Sequence, residues 1–154
     1  MDLDDRDYHI LNQLQDDGAL TNAELAERVN LSPSACLRRV NLLKQSGLIE
    51  GTHLLIDQHK AGFSGTAYMF ISLKGQDRET LDAFEAEMTK VPHILECYLL
   101  AGASDYLLRV VFRDMEDLER LHSEVITRLP GVERVQSTLT LRTVKRVTRL
   151  PLRD

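Results

Sequence analysis

Along the first fifty residues apolar positions recur every three or four places; beyond residue 65 they fall in short runs separated by further helical stretches. Leu3, Asp7, Ile10, Leu11 and Leu14 mark one face of a first predicted helix, which Asp17-Gly18 ends. Thr21 with Glu24 makes a capping box for a second, short helix whose Leu25, Ala26 and Val29 face inward. Asn30-Leu31 is a tight turn. Ser32 then caps a third helix with Pro33 in its first turn, where a missing N–H costs nothing, and Ser46-Gly47 closes it.

After Gly47 the period changes. Leu48, Ile49 and then His53-Leu54-Leu55-Ile56 are expected to form a short strand or hairpin arm, followed by a break at Lys60-Ala61-Gly62. Ala67 to Leu73 is a predicted strand, and Leu81, Phe84 and Met88 mark a helix after it. Strands follow near Ile94 to Ala101 and Tyr106 to Phe112, then a helix carrying Leu118, Leu121 and Ile126, then a last strand near Glu133 to Val144. An internal echo supports two matching halves: MTKVPHI (88–94) and ITRLPGV (126–132) each stop a helix with proline and start a strand. The pattern predicts an α+β chain, with a helix-turn-helix domain over 1–50, a linker hairpin strand over 51–65, and a ferredoxin-like βαββαβ domain over 66–154.

The third helix has two unlike sides. At 100° per residue Cys36, Val40 and Leu43 share a narrow buried arc, whereas Ser34, Arg38, Asn41 and Gln45 fall opposite. That exposed stripe holds only groups able to donate hydrogen bonds to phosphates or base edges, and no carboxylate interrupts it. Such a stripe by itself also suits a solvated surface helix; a short helix and tight turn just before it make the arrangement in which the later helix enters the major groove of duplex DNA.

Charge refines the picture. The chain of 154 residues carries a net charge of −5, so contact with a polyanion has to be focal, and Arg38, Arg39 and Lys44 are the close-set cations of the first domain. From Arg134 to Asp154 six basic residues face one acid. Hydrophobic content of 43% with no apolar run near the roughly 20 residues of a bilayer crossing, and an acidic N-terminus, lead to the expectation of a cytoplasmic protein without a membrane partner. Cys36 and Cys97 lie far apart, the five histidines lack HxxxH or HExxH spacing, and no GxSxG, phosphate-loop or dinucleotide fingerprint occurs. No catalytic residue, metal site or cofactor is therefore expected.

In the sheet domain both alternating sets of one strand are largely apolar: Tyr106, Leu108, Val110 and Phe112 on one side, Leu107 and Val111 on the other. Helices cover one face only, so the second is expected to be covered by another copy in a two-fold dimer. Between the middle strands, Gly102-Ala103-Ser104-Asp105 has the make-up of a plain hairpin turn. It also exposes backbone amides beside a carboxylate, a pairing suited to the two charged ends of an amino acid.

These segments together, LDDRDYHILNQLQDDGALTNAELAERVNLSPSACLRRVNLLKQSGLIEG, GASDYLLRV and LPGVERVQSTLTLRTVK, resemble the leucine-responsive regulator and asparagine-regulator (Lrp/AsnC, feast/famine) family over nearly the whole chain. The resemblance implies a transcription factor with an N-terminal helix-turn-helix domain, a hairpin linker, and a C-terminal domain that dimerises and binds an amino-acid effector. It further implies dimers assembling into tetramers, octamers or hexadecamers with effector held where dimers meet. By position, Ser32, Ser34, Arg38 and Arg39 would belong to the DNA-reading helix, joined by Asn41, Lys44 and Gln45 from the exposed stripe and its flank. Gly102, Ala103, Ser104, Asp105 and Tyr106 would line the effector turn, with Thr138 and Thr140 nearby. Two departures stand out: Thr52-His53 follows Gly51 where many relatives carry an aromatic residue, and Ala103-Ser104 replaces larger or acidic residues. The competing readings are a ligand-independent architectural protein that wraps DNA and a ferredoxin-like module that binds a metabolite.

Overall fold

The computed structural model describes residues 2–153. They form two compact units, residues 2–55 together with 145–153, and Ile56–Val144. The sequence placed the chain after residue 145 with the sheet domain; the structure groups residues 145–153 with the helical one, where Arg149, Leu150 and Arg153 contact its first helix.

In the helical unit, α1 (Asp5–Asp16) starts at a reciprocal capping box in which Asp4 accepts from the Asp7 N–H and Asp7 accepts from the Asp4 N–H. Helix α2 (Asn22–Arg28) starts at the Thr21/Glu24 box, and α3 (Pro33–Gln45) at Ser32, whose hydroxyl accepts from the Ala35 N–H. Asn30 adopts a left-handed backbone (φ 53°) between α2 and α3, a conformation asparagine tolerates better than most side chains. Ile10, Leu11, Leu25, Ala26, Val29, Cys36, Val40 and Leu43 make one core.

The second unit is a four-stranded antiparallel sheet in the order β2-β3-β1-β4, built from β1 (Gly65–Leu73), β2 (Ile94–Leu99), β3 (Tyr106–Phe112) and β4 (Val132–Leu139). Helices α4 (Arg78–Met88) and α5 (Met115–Arg120) follow β1 and β3, giving the expected βαββαβ order. Ala67, Met69, Ile71 and Leu73 of β1 pack with Tyr106, Leu108, Val110 and Phe112 of β3 against Phe84, Met88, Leu118, Leu121 and Ile126. The alternation buried and half-buried along β1 reflects that one face meets the helices. The other face carries Tyr68, Phe70 and Leu107 between polar rows of Glu96, Arg109, Gln136 and Thr138.

Three expectations change. His53-Leu54-Leu55-Ile56 forms no strand within one chain; Leu54, Leu55 and Ile56 stand exposed without a neighbouring strand to pair with. Strand β4 ends at Leu139 rather than near Val144, its register with β1 running no further than Ala67 opposite Leu139. After α5 the helix widens into a π-helical turn (Leu121–Val125) and tightens into a 3₁₀ turn (Ile126–Arg128). Among the described residues no helix is long and apolar enough to cross a membrane.

Candidate functional site

Two surfaces matter, one in each unit. On α3 the residues opposite the buried Cys36, Val40 and Leu43 are exposed as the helical phase requires: Ser34, Arg38, Asn41 and Gln45, with Ser32 and Lys44 at the margins. Asn22 at the start of α2 donates to the Pro33 carbonyl (2.9 Å), fixing the start of α3 against α2. The Ser32 and Ser34 hydroxyls lie 3.3 Å apart at the same end. Among the described residues no carboxylate pairs with Arg38 or Lys44, so both cations are free to meet an external anion.

Arg39 behaves differently. Its Nη1 lies 2.7 Å from Asp7 Oδ1 and 2.9 Å from Asp4 Oδ2, so the guanidinium ties α3 to the start of α1. The side chain is only 21% exposed and Asp7 is buried. Its bond to Asp7, with that to Asp4 behind it, pushes the guanidinium pKa up, and the Asp7 N–H followed by Arg39 holds the Asp4 carboxyl below its ordinary 3.8. Arg39, expected to contact DNA, is thus engaged by two carboxylates of its own domain. Sequence reasoning also missed Leu37, which is 48% exposed beside Asn41. The helical phase places it on the exposed arc, where an apolar side chain suits a thymine methyl group.

In the sheet unit the turn Gly102-Ala103-Ser104 leaves Gly102 and Ala103 exposed. Asp105 does not point at an open site. One carboxylate oxygen accepts from the Leu73 N–H (2.7 Å) and the other from Gln76 Nε2 (2.7 Å), while its N–H and C=O join Ile71 and Leu100. Every arm of this residue is engaged at the end of β1, and it is buried. Tyr106 is likewise in the core: its ring packs on Phe84 at 4.6 Å and its hydroxyl donates to Glu85 Oε1 at 2.7 Å. Burial, then Glu85, drives its pKa upward, and burial pushes the neighbouring Cys97 thiol up to about 11.

The last-strand residues also separate. Thr138 pairs with Tyr68, and Thr140 donates through its N–H and hydroxyl to the Thr66 carbonyl. The turn lies at the other end of β1, beside Ile71 and Ser72. Six residues of strand, about 20 Å, therefore separate Thr140 from it. What lies beside the turn is a cleft of about 100 Å³ lined by Phe70, Ser72, Ala103, Ser104, Arg134 and Gln136. Arg134 pairs with Ser72 and Gln136 with Phe70 across β1 and β4, so the pleat puts both on the open face. Period-two counting from Thr138 puts Gln136 and Arg134 on the same face, and the register with β1 sets them beside the turn. Among the described residues no group of three metal-ligating side chains comes together.

Comparison with known proteins matches residues 66–150 to the Lrp/AsnC ligand binding domain and residues 3–50 to a winged helix-turn-helix DNA-binding domain. The transcriptional regulator AzlB of Bacillus subtilis is 35% identical over 97% of this chain and 96% of its own length. A leucine-responsive regulatory protein of Salmonella typhimurium is 38% identical over 99% of this chain and 93% of its own. Among solved structures, a transcriptional regulator of Neisseria meningitidis in complex with L-Met superposes with a TM-score of 0.93 at 35% identity, covering 97% of both chains.

Proposed function

Given that the chain belongs to the Lrp/AsnC family and is a DNA-binding transcriptional regulator, we propose that α3 enters the major groove of an operator and that an amino acid sets how copies of the protein assemble on it. The observation that carries the first part is the uninterrupted stripe of Ser34, Arg38, Asn41 and Gln45, exposed and free of carboxylates, while Arg39 is withdrawn into the domain. Arg38 and Asn41 have the donor sets for guanine and adenine edges respectively, and Lys44 for phosphate.

The copies associate through surfaces a single chain leaves open: the unpaired Leu54, Leu55 and Ile56, and the Tyr68, Phe70 and Leu107 side of the sheet. A two-fold dimer spaces its α3 helices about 34 Å apart, so the operator is an imperfect palindrome. Dimers join further into tetramers or octamers, in the cytoplasm where the DNA is.

The effector lies at the Ala103-Ser104 turn. Backbone amides of the turn and the Arg134 guanidinium receive its carboxylate, while Gln136, Ser72 and Ser104 offer oxygens to its ammonium group. Asp105 acts by holding the turn. A cleft of about 100 Å³ is smaller than the few hundred a ligand pocket needs, so a second copy supplies the missing wall, and ligand affinity and assembly become linked. The L-Met bound by the Neisseria regulator favours an amino acid as the ligand class.

The test is a gel shift with fragments upstream of the gene, with and without each of the common amino acids. A sequence-selective shift altered by at least one amino acid is expected. Arg134→Gln should keep the shift and lose the amino-acid response; a response equal to wild type would move the effector elsewhere.

A further inference from the structure

The chain leaves the helical unit after Leu55, builds the sheet unit, and returns at Lys145. On its return it lies along one stripe of α1 formed by Asp5, Tyr8, Asn12, Gln15 and Asp16, a spacing of three and four that puts them on one face. Arg149 Nη1 sits 2.7 Å from Asp16 Oδ1, and its Nη2 donates to Asn12 Oδ1. The Gln15 amide brackets Leu150: it accepts from the Leu150 N–H at 2.6 Å and donates to the Leu150 carbonyl at 3.2 Å. Asn12 donates to the Arg153 carbonyl, which explains why an asparagine on the outer side of α1 is buried. Leu152 packs against the core of the unit, and the Arg153 guanidinium lies 4.2 Å from the Tyr8 ring centroid and 3.4 Å from Asp5.

Charge points the same way. Residues 1–55 hold nine acids against five basic side chains, an unfavourable balance for a domain that approaches DNA, and residues 145–154 bring four bases and one acid. The segment is held by polar pairs and one apolar anchor. Leu150 stays 65% exposed, and the ion pairs sit where salt screens them.

We propose that residues 145–153 are a detachable strap: docked on α1 of its own chain, it completes the DNA-binding unit electrostatically and makes a second covalent tether between the two units. Changes of assembly in the sheet unit then reach the DNA-binding unit through two chain passages, and undocking leaves it held by the linker alone.

The strap is tested without DNA, so its failure is distinct from failure of the operator reading. In the full chain, Arg149→Asp and Asp16→Arg each reverse one charge of the pair. Each single variant should raise the rate of trypsin cleavage after Arg146 about tenfold and speed deuterium uptake in α1, since cleavage follows the undocked population. The double variant should return both readings to within about twofold of wild type, as expected when the partners compensate. Unchanged cleavage and uptake in both single variants would overturn the strap. A refolded equal mixture of the two single variants discriminates further: no rescue supports docking within one chain, and rescue would show exchange between copies and overturn the second tether.

Discussion

Helix α3 and the turn at 102–105 look alike as sequence, each a short run of small and charged residues with candidate partners outside the protein, and the fold treats them in opposite ways. On α3 the spacing of 3.6 residues assigns every side chain a direction, and the stripe opposite Cys36, Val40 and Leu43 stays outside with its donors free. At the turn no period constrains direction, and the strongest polar group, Asp105, is drawn inward by the Leu73 N–H and Gln76 at the end of β1. Arg39 shows the boundary between the cases: one step round the helix from Arg38, it meets Asp7 and joins the structure. A charged side chain is available for recognition where local geometry carries it away from the chain's own unsatisfied groups.

Four variants sharpen or break that contrast. Asp105→Ala strands the Leu73 N–H in the interior and should cost about 3 kcal/mol of the sheet unit's stability, read by chemical denaturation of the full chain. A stable variant that has lost only its effector response would return Asp105 to the binding site. Arg39→Ala leaves Asp7 without its cation and should cost about 2 kcal/mol in the helical unit, less than a fully buried pair because both partners retain some exposure. Arg38→Ala should change stability by no more than about 0.5 kcal/mol and weaken operator binding by about 1–2 kcal/mol, with sequence preference relaxed at one position per half-site. Anisotropy titrations of both variants against one operator decide between the two arginines: a loss of affinity confined to Arg39→Ala would reverse their roles.

The smallest effect is at acid pH. The Asp4 carboxyl titrates below 3.8 in the folded chain, so its contribution to stability is full above that value and is lost as pH falls through the lower folded pKa. Asp4→Asn should flatten the stability of the helical unit as pH falls below 3.8, and a profile still as steep as wild type would assign the acid sensitivity to other carboxylates.

The helical unit was legible in the sequence, because the capping box at Thr21/Glu24, Ser32 and a proline at the first turn of α3 are local signals that need no distant partner; the box at Asp4/Asp7 was not read. The order of strands and helices was legible too. The linker strand was not, since His53-Leu54-Leu55-Ile56 has strand composition but no pairing strand among the described residues. At the turn, Ala103 and Ser104 line a cleft together with Arg134 and Gln136, whereas Asp105 and Tyr106 are engaged by the fold and Thr140 lies toward the other end of β1. Which strand residues adjoin a hairpin depends on register across β1, information no single segment contains.

Counting residues along the helix after β3 exposes one more consequence. Leu118, Leu121 and Ile126 are all buried, yet in an unbroken α-helix the step of five from Leu121 to Ile126 would swing the isoleucine about 140° away from the core. The wide turn at Leu121–Val125 absorbs one residue and restores the phase. The segment thus behaves as a regular helix carrying a single insertion. Removing one residue among His122, Ser123 and Glu124 would recreate the spacing of three and four that a plain helix needs, so here a deletion, ordinarily ruinous to a helix, is a change the core can accept.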